Sequence, residues 1–277
     1  MGKLIATDLD GTLFYPKKRV RMISSKSLKF IRNHIDNGGR LVLVSGRNEE
    51  FSKKVVKKID RPVDVIGCNA SFIKVGDKMI SETKFDVKKV NDMLDKLIDD
   101  VHPMAYFIMD DKDNFVCRDK FKSLFYKVGY ALWVSTQGVY RERFKTSREK
   151  FYECLNDGNA RKIMVFFGIG KKNKNRAKEA NKIIREKYKD VVEASWSGEF
   201  IELSPYGCSK SLGLKYYINY LNINPSDVYV VGDSGNDISM FNEFPEHSFC
   251  MKRSPLSVSK YAKYTISRFQ ELEKYIK

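Results

Sequence analysis

No stretch of this 277-residue chain holds the ~18–20 consecutive apolar residues that a membrane-spanning helix needs. Its longest apolar run, around Ile163–Gly170, has the size of a strand. Cysteine is scarce and scattered. Cys68, Cys117, Cys154, Cys208 and Cys250 are odd in number and form no CxxC pair, which argues against a disulfide framework and against a structural zinc site. The three histidines, His34, His102 and His247, lie far apart and make no HExxH helix, so they are expected to be surface or packing residues. Internal repeats and low-complexity segments are absent. The N-terminus has no leader-like pattern, because Lys3 opens a short apolar stretch that ends at Asp8 and Asp10. A signal peptide is therefore not expected, and the cytoplasm is the expected compartment.

What is present is an ordinary globular composition with a basic balance. Hydrophobic residues make up 42% and charged residues 31%, which excludes a disordered or collagen-like chain. The length allows one large domain or two unequal ones, with enough chain for an apolar core. Lys and Arg number 51 against 35 Asp and Glu, a net charge of +16. The lysines are spread along the chain rather than gathered in a tail, so solvated faces account for most of them. The balance favours anionic small molecules. Nucleic acid and membrane are not expected partners.

Residues 3–9 form a short apolar run ending in carboxylates, which reads as a buried parallel strand. Helical spacing follows over 24–37, with Leu28, Ile31 and Ile35 on one face, Ser24 or Ser25 as N-cap and Gly38-Gly39 as stop. RLVLVSGR (40–47) is a second strand, 49–59 a helix ending before Pro62, and VDVIGCNA (63–70) a third strand. This alternation implies a parallel sheet. The pattern returns near the C-terminus. It gives a helix over 209–221, a strand DVYVVGD (227–233), a helix starting at 238 and edge strands HSFCM and KYTIS.

The middle mixes a helix at 86–100, a hairpin of AYFIMDD and NFVCRD, a strand over 160–170 and a basic helix at 175–189. Its positive charge is denser than elsewhere. The expected division is a doubly wound α/β domain built from 1–81 and 193–277, with an α+β domain inserted at 82–192. The run Gly168-Ile169-Gly170-Lys171-Lys172 lacks GxxxxGK[ST] and reads as a strand-to-helix turn. Phe121, Phe125, Tyr126, Tyr130 and Trp133 read as core aromatics rather than a stacking platform.

Three apolar strands end in polar groups: Asp8-Leu9-Asp10-Gly11-Thr12, then Ser45-Gly46-Arg47, then Gly232-Asp233-Ser234-Gly235-Asn236-Asp237. Ligands of open parallel sheets bind beyond those carboxyl ends. Carboxylates beside a buried strand need compensation by a cation or strong donors. Asp8, Asp10 and Asp233, with carbonyls and water, suit Mg²⁺. Lys210, after the turn-like Pro205-Tyr206-Gly207, can bring a positive charge to the same place, and Ser45 and Asn236 add neutral donors. Phosphoryl transfer needs such a set, because the ester's charge must be offset before an anionic nucleophile can approach. Singly, each motif could be punctuation: Asp10-Gly11 a turn, Asp237 a helix cap, Ser45-Gly46 a loop start. Their order and spacing together argue for a site.

DLDGTL, SGR, a lone Lys210 and GDSGND in this order resemble the four motifs of the haloacid dehalogenase superfamily. The position of the insert resembles the Cof-type, IIB-capped phosphatases of that superfamily. The resemblance covers about 1–80 and 195–277; the middle shares only a cap's approximate size and mixed character. It implies a Rossmann-like core with an inserted cap that selects substrate. It implies Asp8 as nucleophile and Mg²⁺ ligand, and Asp10 as general acid/base and carbonyl ligand of the metal. Asp233 would be the third protein ligand. Thr12, Ser45, Asn236 and the backbone around Leu9 would hold phosphoryl oxygens, and Lys210 would stabilise their charge. Asp237 would orient the lysine or a metal-bound water. Gly46 and Arg47 belong to the phosphate-binding motif. Where the family often has Asn-Gly-Ala, this chain has Cys68-Asn69-Ala70, so Asn69 faces the crevice with its substrate role open.

The resulting expectation is a Mg²⁺-dependent phosphatase of small metabolites such as sugar phosphates, acting through an aspartyl-phosphate, as a monomer or weak homodimer. A phosphomutase of the phosphomannomutase type is the enzymatic alternative. A non-catalytic basic module binding anions or nucleic acid is the alternative outside catalysis.

Overall fold

The computed structural model describes residues 2–16, 23–110, 114–118 and 143–276. The aromatic residues Phe121, Phe125, Tyr126, Tyr130 and Trp133 lie outside them. The chain divides into two compact units, one built from residues 1–82 and 209–277 and the other from 83–208.

In chain order the larger unit begins with β1 (Leu4–Thr7), α1 (Ser25–Asp36), β2 (Arg40–Val44), α2 (Glu49–Ile59) and β3 (Asp64–Gly67), then the short strands β4 (Phe72–Val75) and β5 (Lys78–Glu82). Local chemistry sets these boundaries. Ser24 accepts the backbone N–H of Ser27 at 3.1 Å and caps α1, and Asn48 accepts that of Phe51 at 2.9 Å and caps α2. Asp60 ends α2 in the left-handed region, at φ 58°.

The smaller unit holds α3 (Val87–Val101), β6 (Ala105–Asp110), β7 (Asn114–Cys117), β8 (Arg143–Thr146), α4 (Arg148–Asn156), β9 (Ala160–Phe166), α5 (Lys171–Lys187), β10 (Val192–Ser197) and β11 (Phe200–Pro205). The chain then returns to the larger unit with α6 (Lys210–Tyr220), β12 (Val228–Gly232), α7 (Ile238–Glu243), β13 (Ser248–Met251), α8 (Leu256–Ser259) and β14 (Tyr264–Ile266).

Among the described residues the larger unit carries eight strands in the order β14-β13-β12-β1-β2-β3-β4-β5. The six from β14 to β3 are parallel; β4 and β5 join antiparallel. Leu4, Ala6, Val42, Val44, Val228 and Val230 bury one face of this sheet against Leu214, Tyr217, Ile218 and Phe241 of α6 and α7. On α1, Phe30 meets Phe269 edge-on, with ring centroids 6.0 Å apart. This is a doubly wound, Rossmann-like α/β unit interrupted by an α+β insert.

The insert's sheet has the order β10-β11-β9-β6-β7-β8, antiparallel except for the β7/β8 pair. Its apolar core joins Leu94 and Leu97 of α3, Phe151 of α4 and Ile184 of α5 to Tyr106, Ile163 and Ile201 of the strands. The expected boundary at 192 is corrected here. β10 and β11 follow it, yet β11 pairs with β9 in the register Phe200↔Phe166 to Leu203↔Ile163 and so belongs to the insert's sheet. The basic helix starts at Lys171 rather than 175, directly after Gly168 (φ 102°) and Gly170 (φ 108°). No described helix is long and apolar enough to cross a membrane.

Candidate active site

The parallel strands β12, β1 and β2 are neighbours, so their carboxyl ends share one sheet edge. The backbone N–H of Asp8 continues the ladder, donating to the carbonyl of Val231 at 2.9 Å. Asp8 therefore sits at the middle of that edge, and Asp233 begins the loop beside it. Lys210, first residue of α6, comes from the far end of the chain. Its helix is capped by Ser209, which accepts the N–H of Leu212 at 3.3 Å.

Lys210 Nζ donates to Asp8 Oδ1 at 2.7 Å and to Asp237 Oδ1 at 2.6 Å. All three side chains are buried, with the lysine side chain at 0% exposure and Asp8 at 7%. Carboxylate oxygens of Asp8, Asp233 and Asp237 lie within 4.8 Å of one another. Three acids therefore share one buried ammonium and, at Asp233, the partly exposed guanidinium of Arg253. Burial pushes the Asp8 carboxyl well above its usual range, and Asp237, Asp233 and Asp10 add repulsion that Lys210 only partly offsets. Asp233 is pushed up to about 6, by burial and by Asp237. Burial pulls Lys210 downward, but Asp237 and Asp8 outweigh it and hold the ammonium protonated.

This surplus of negative charge on hard oxygen donors fits a small divalent cation. Asp8 and Asp233 are the carboxylates able to hold one. Asp237 is committed elsewhere: Oδ1 accepts from Lys210, while Oδ2 accepts the backbone N–H groups of Asp233 and Ser234 at 2.9 Å each. It orients both the lysine and the Asp233 loop. Gly232 makes room for it, since a Cβ there would lie 2.4 Å from Asp237 Cβ.

Asp10 lies outside the acidic cluster. Arg47 grips its carboxylate bidentately, Nε to Oδ2 at 2.6 Å and Nη2 to Oδ1 at 2.8 Å, and the guanidinium lies 4.5 Å from the Phe51 ring centroid. Only the Asp10 backbone carbonyl is left as its route to a metal. Arg47, expected on phosphate, is placed on Asp10 instead. Between them, Gly11 is at φ 86°, a conformation that glycine takes readily. A Cβ at Gly11 would lie 2.2 Å from Asp233 Oδ2 and 2.3 Å from Arg253 Nη2. Leu9 is buried and its carbonyl accepts the Phe14 N–H at 3.1 Å, closing the loop around Gly11.

Thr12 Oγ1 donates to Asp233 Oδ1 at 3.2 Å, and Asn236 Oδ1 accepts from Ser234 Oγ at 2.7 Å. Ser45 Oγ accepts the backbone N–H of Arg47 at 3.2 Å across Gly46. Buried Asn69 donates its N–H to the Ser45 carbonyl at 3.1 Å, so β3 delivers it to the same edge. Cys68, Asn69 and Ala70 all have positive φ (47°, 55° and 78°), a run that costs L-residues energy and often marks functional loops. Sequence reasoning missed Arg253, whose Nη2 donates to Asp233 Oδ2 at 3.3 Å. The signal was available: it closely follows the apolar strand β13, at the edge where the other candidates lie.

Comparison with known proteins gives the family and the fold. The profile of the haloacid dehalogenase-like hydrolase family matches residues 5–271. The chain belongs to that family. A 5-amino-6-(5-phospho-D-ribitylamino)uracil phosphatase of Bacillus subtilis is 25% identical over 268 residues, 91% of this chain and 88% of the relative. A phosphoglycolate phosphatase of Methanoculleus marisnigri is 24% identical over 87% of this chain and 80% of its own. A solved haloacid dehalogenase-like hydrolase from B. subtilis superimposes with a TM-score of 0.79 at 20% identity, over 99% of this chain and 100% of that one, which establishes the shared fold. Family and relatives make this haloacid dehalogenase-like protein a phosphoric monoester hydrolase.

Proposed function

We propose that this hydrolase is a cytoplasmic, Mg²⁺-dependent phosphatase of small phosphorylated metabolites that works through an aspartyl-phosphate on Asp8. The observation that carries the reading is the Asp8 carboxylate held 2.7 Å from a fully buried ammonium and beside Asp233. Asp8, Asp233 and the Asp10 carbonyl would hold the Mg²⁺, which supplies charge compensation at the phosphoryl oxygens.

An Asp8 carboxylate oxygen attacks phosphorus while the bond from phosphorus to the ester oxygen breaks. The Asp10 carboxyl gives its proton to the departing alkoxide. Asp10 then takes a proton from water, whose oxygen attacks phosphorus and breaks the Asp8 oxygen–phosphorus bond, releasing inorganic phosphate. Arg47 fixes the Asp10 rotamer, and one of its two hydrogen bonds must release a carboxylate oxygen for Asp10 to carry that proton. Lys210 bears on the Asp8 oxygen throughout, and Thr12, Ser45, Asn236 and the loop N–H groups would take phosphoryl oxygens. Asn69 would meet the part of the substrate beyond them.

The relatives act on a ribityl phosphate and on phosphoglycolate, both small monoesters. The net charge of +16 suits anionic esters of that kind, and none of the five cysteines is in a disulfide. The test is phosphate release from a panel of sugar phosphates and phosphorylated acids, with Mg²⁺ and with EDTA. Turnover that EDTA abolishes and Mg²⁺ restores supports the reading; turnover unchanged in EDTA refutes the metal. A hexose 1-phosphate converted to its isomer without free phosphate would replace the phosphatase with a mutase.

A further inference from the structure

Arg253 belongs to none of the four acidic or lysine motifs, yet it reaches the centre of the site. It follows β13 at the edge that carries Asp8 and Asp233, and its Nη2 approaches Asp233 Oδ2 at 3.3 Å. This contact is single and long, unlike the bidentate grip of Arg47 on Asp10. Most of the five guanidinium donors are not spent on Asp233. The side chain is 38% exposed against 15% for Asp233, so its charge can leave the carboxylate without entering the core. Tyr15 keeps it near: the guanidinium stands 4.5 Å from the ring centroid, and Arg268 lies 5.2 Å from the same ring. Gly11, lacking a Cβ, leaves the gap in which guanidinium and carboxylate meet.

Asp233 is thus the metal-competent carboxylate with a mobile-length cation already on one oxygen, while Thr12 occupies the other. We propose that Arg253 is a competing counter-ion of Asp233: it neutralises and positions the carboxylate in the metal-free enzyme, is displaced by the divalent cation, and so raises the cation concentration that the enzyme requires. The inference rests on the Mg²⁺ reading above. Its physical basis is that a guanidinium and a divalent cation repel each other and draw on the same oxygen. A partly exposed pair of this length is weak and salt-screened, so the competition is worth about two- to fivefold in affinity.

The experiment is Mn²⁺ binding to the full chain without substrate, after EDTA treatment, with free Mn²⁺ counted by electron paramagnetic resonance. At low salt R253Q is expected to bind Mn²⁺ about two- to fivefold more tightly than wild type, and R253K to stay near wild type. Y15L, which loosens the guanidinium, should move in the direction of R253Q. The gap between wild type and R253Q should narrow in high salt, which a merely structural role would not produce. Unchanged or weaker binding by R253Q overturns the inference. D233N separates the two levels. If it binds Mn²⁺ as wild type does, the metal reading falls and this inference with it; if it loses binding while R253Q equals wild type, only the inference falls.

Discussion

Replacing Lys210 with methionine tests the electrostatics of the site more sharply than any other change. Methionine keeps most of the lysine's apolar volume, so the loss is chiefly of the ammonium. Asp8 and Asp237 then face each other without the cation that both touch at 2.6–2.7 Å. Removing one partner of a buried ion pair costs about 3–5 kcal/mol, because a desolvated charge is left uncompensated. Proton uptake by the carboxylates relieves part of this. Asp8 is already held above its usual range, so the folded variant binds protons that the unfolded chain does not, and its deficit shrinks as pH falls from 7 toward 5. The assay is urea unfolding in EDTA, with the midpoint shift read at unchanged slope. K210M/D237N removes one of the two charges left uncompensated, while the asparagine oxygen can still accept from Asp233 and Ser234, and should recover about half the loss. Turnover should fall about 100-fold or more in both variants, since the charge bearing on the phosphoryl group is gone in each. A K210M deficit below about 1 kcal/mol in EDTA, or a double variant no more stable than the single, would refute the account of lysine as the compensating charge.

Asp8→Asn should abolish turnover while leaving circular dichroism and cooperative unfolding intact; measurable steady-state hydrolysis would remove Asp8 as the nucleophile. In α6, Gly213→Ala should destabilise even though alanine is favoured over glycine in helices by about 1 kcal/mol, because the new Cβ would lie 2.4 Å from Ala70 Cβ. Ala70→Gly, at φ 78°, should restore the double variant to near wild type in thermal unfolding, and a persisting deficit would put the strain elsewhere. His34 has its pKa lowered by burial, with Nε2 3.0 Å from the Lys3 carbonyl oxygen and 3.2 Å from that of Arg40. Below pH 6.5 the unfolded chain takes a proton that the folded one resists, so stability should fall with pH there, and H34Q should flatten that part of the curve.

The strands and their functional ends were legible because a buried parallel strand is a short apolar run, and carboxylates at its end have no packing reason to be there. The runs ending at Asp8, Ser45 and Asp233 announced the sheet edge and two of the three clustered acids; Asp237 takes the place expected of the Asp10 side chain, which Arg47 holds. Ser24 was legible as a cap because capping is local. The end of the insert was not: β11 is assigned by its ladder to β9 (Phe200↔Phe166 to Leu203↔Ile163) and β10 by its pairing with β11, and no local pattern encodes so distant a partner as β9.

The same division holds inside the site. Residue types, order and spacing by themselves determined that carboxylates, a lysine and hydroxyls would meet beyond adjacent parallel strands, because strand direction and residue count fix where a chain emerges. Only the tertiary structure decided who neutralises whom: Arg47 on Asp10, Asp237 on Lys210 and the Asp233 loop, Arg253 on Asp233. Charge pairing depends on distances of a few ångströms between side chains far apart in sequence, and those distances are set by packing.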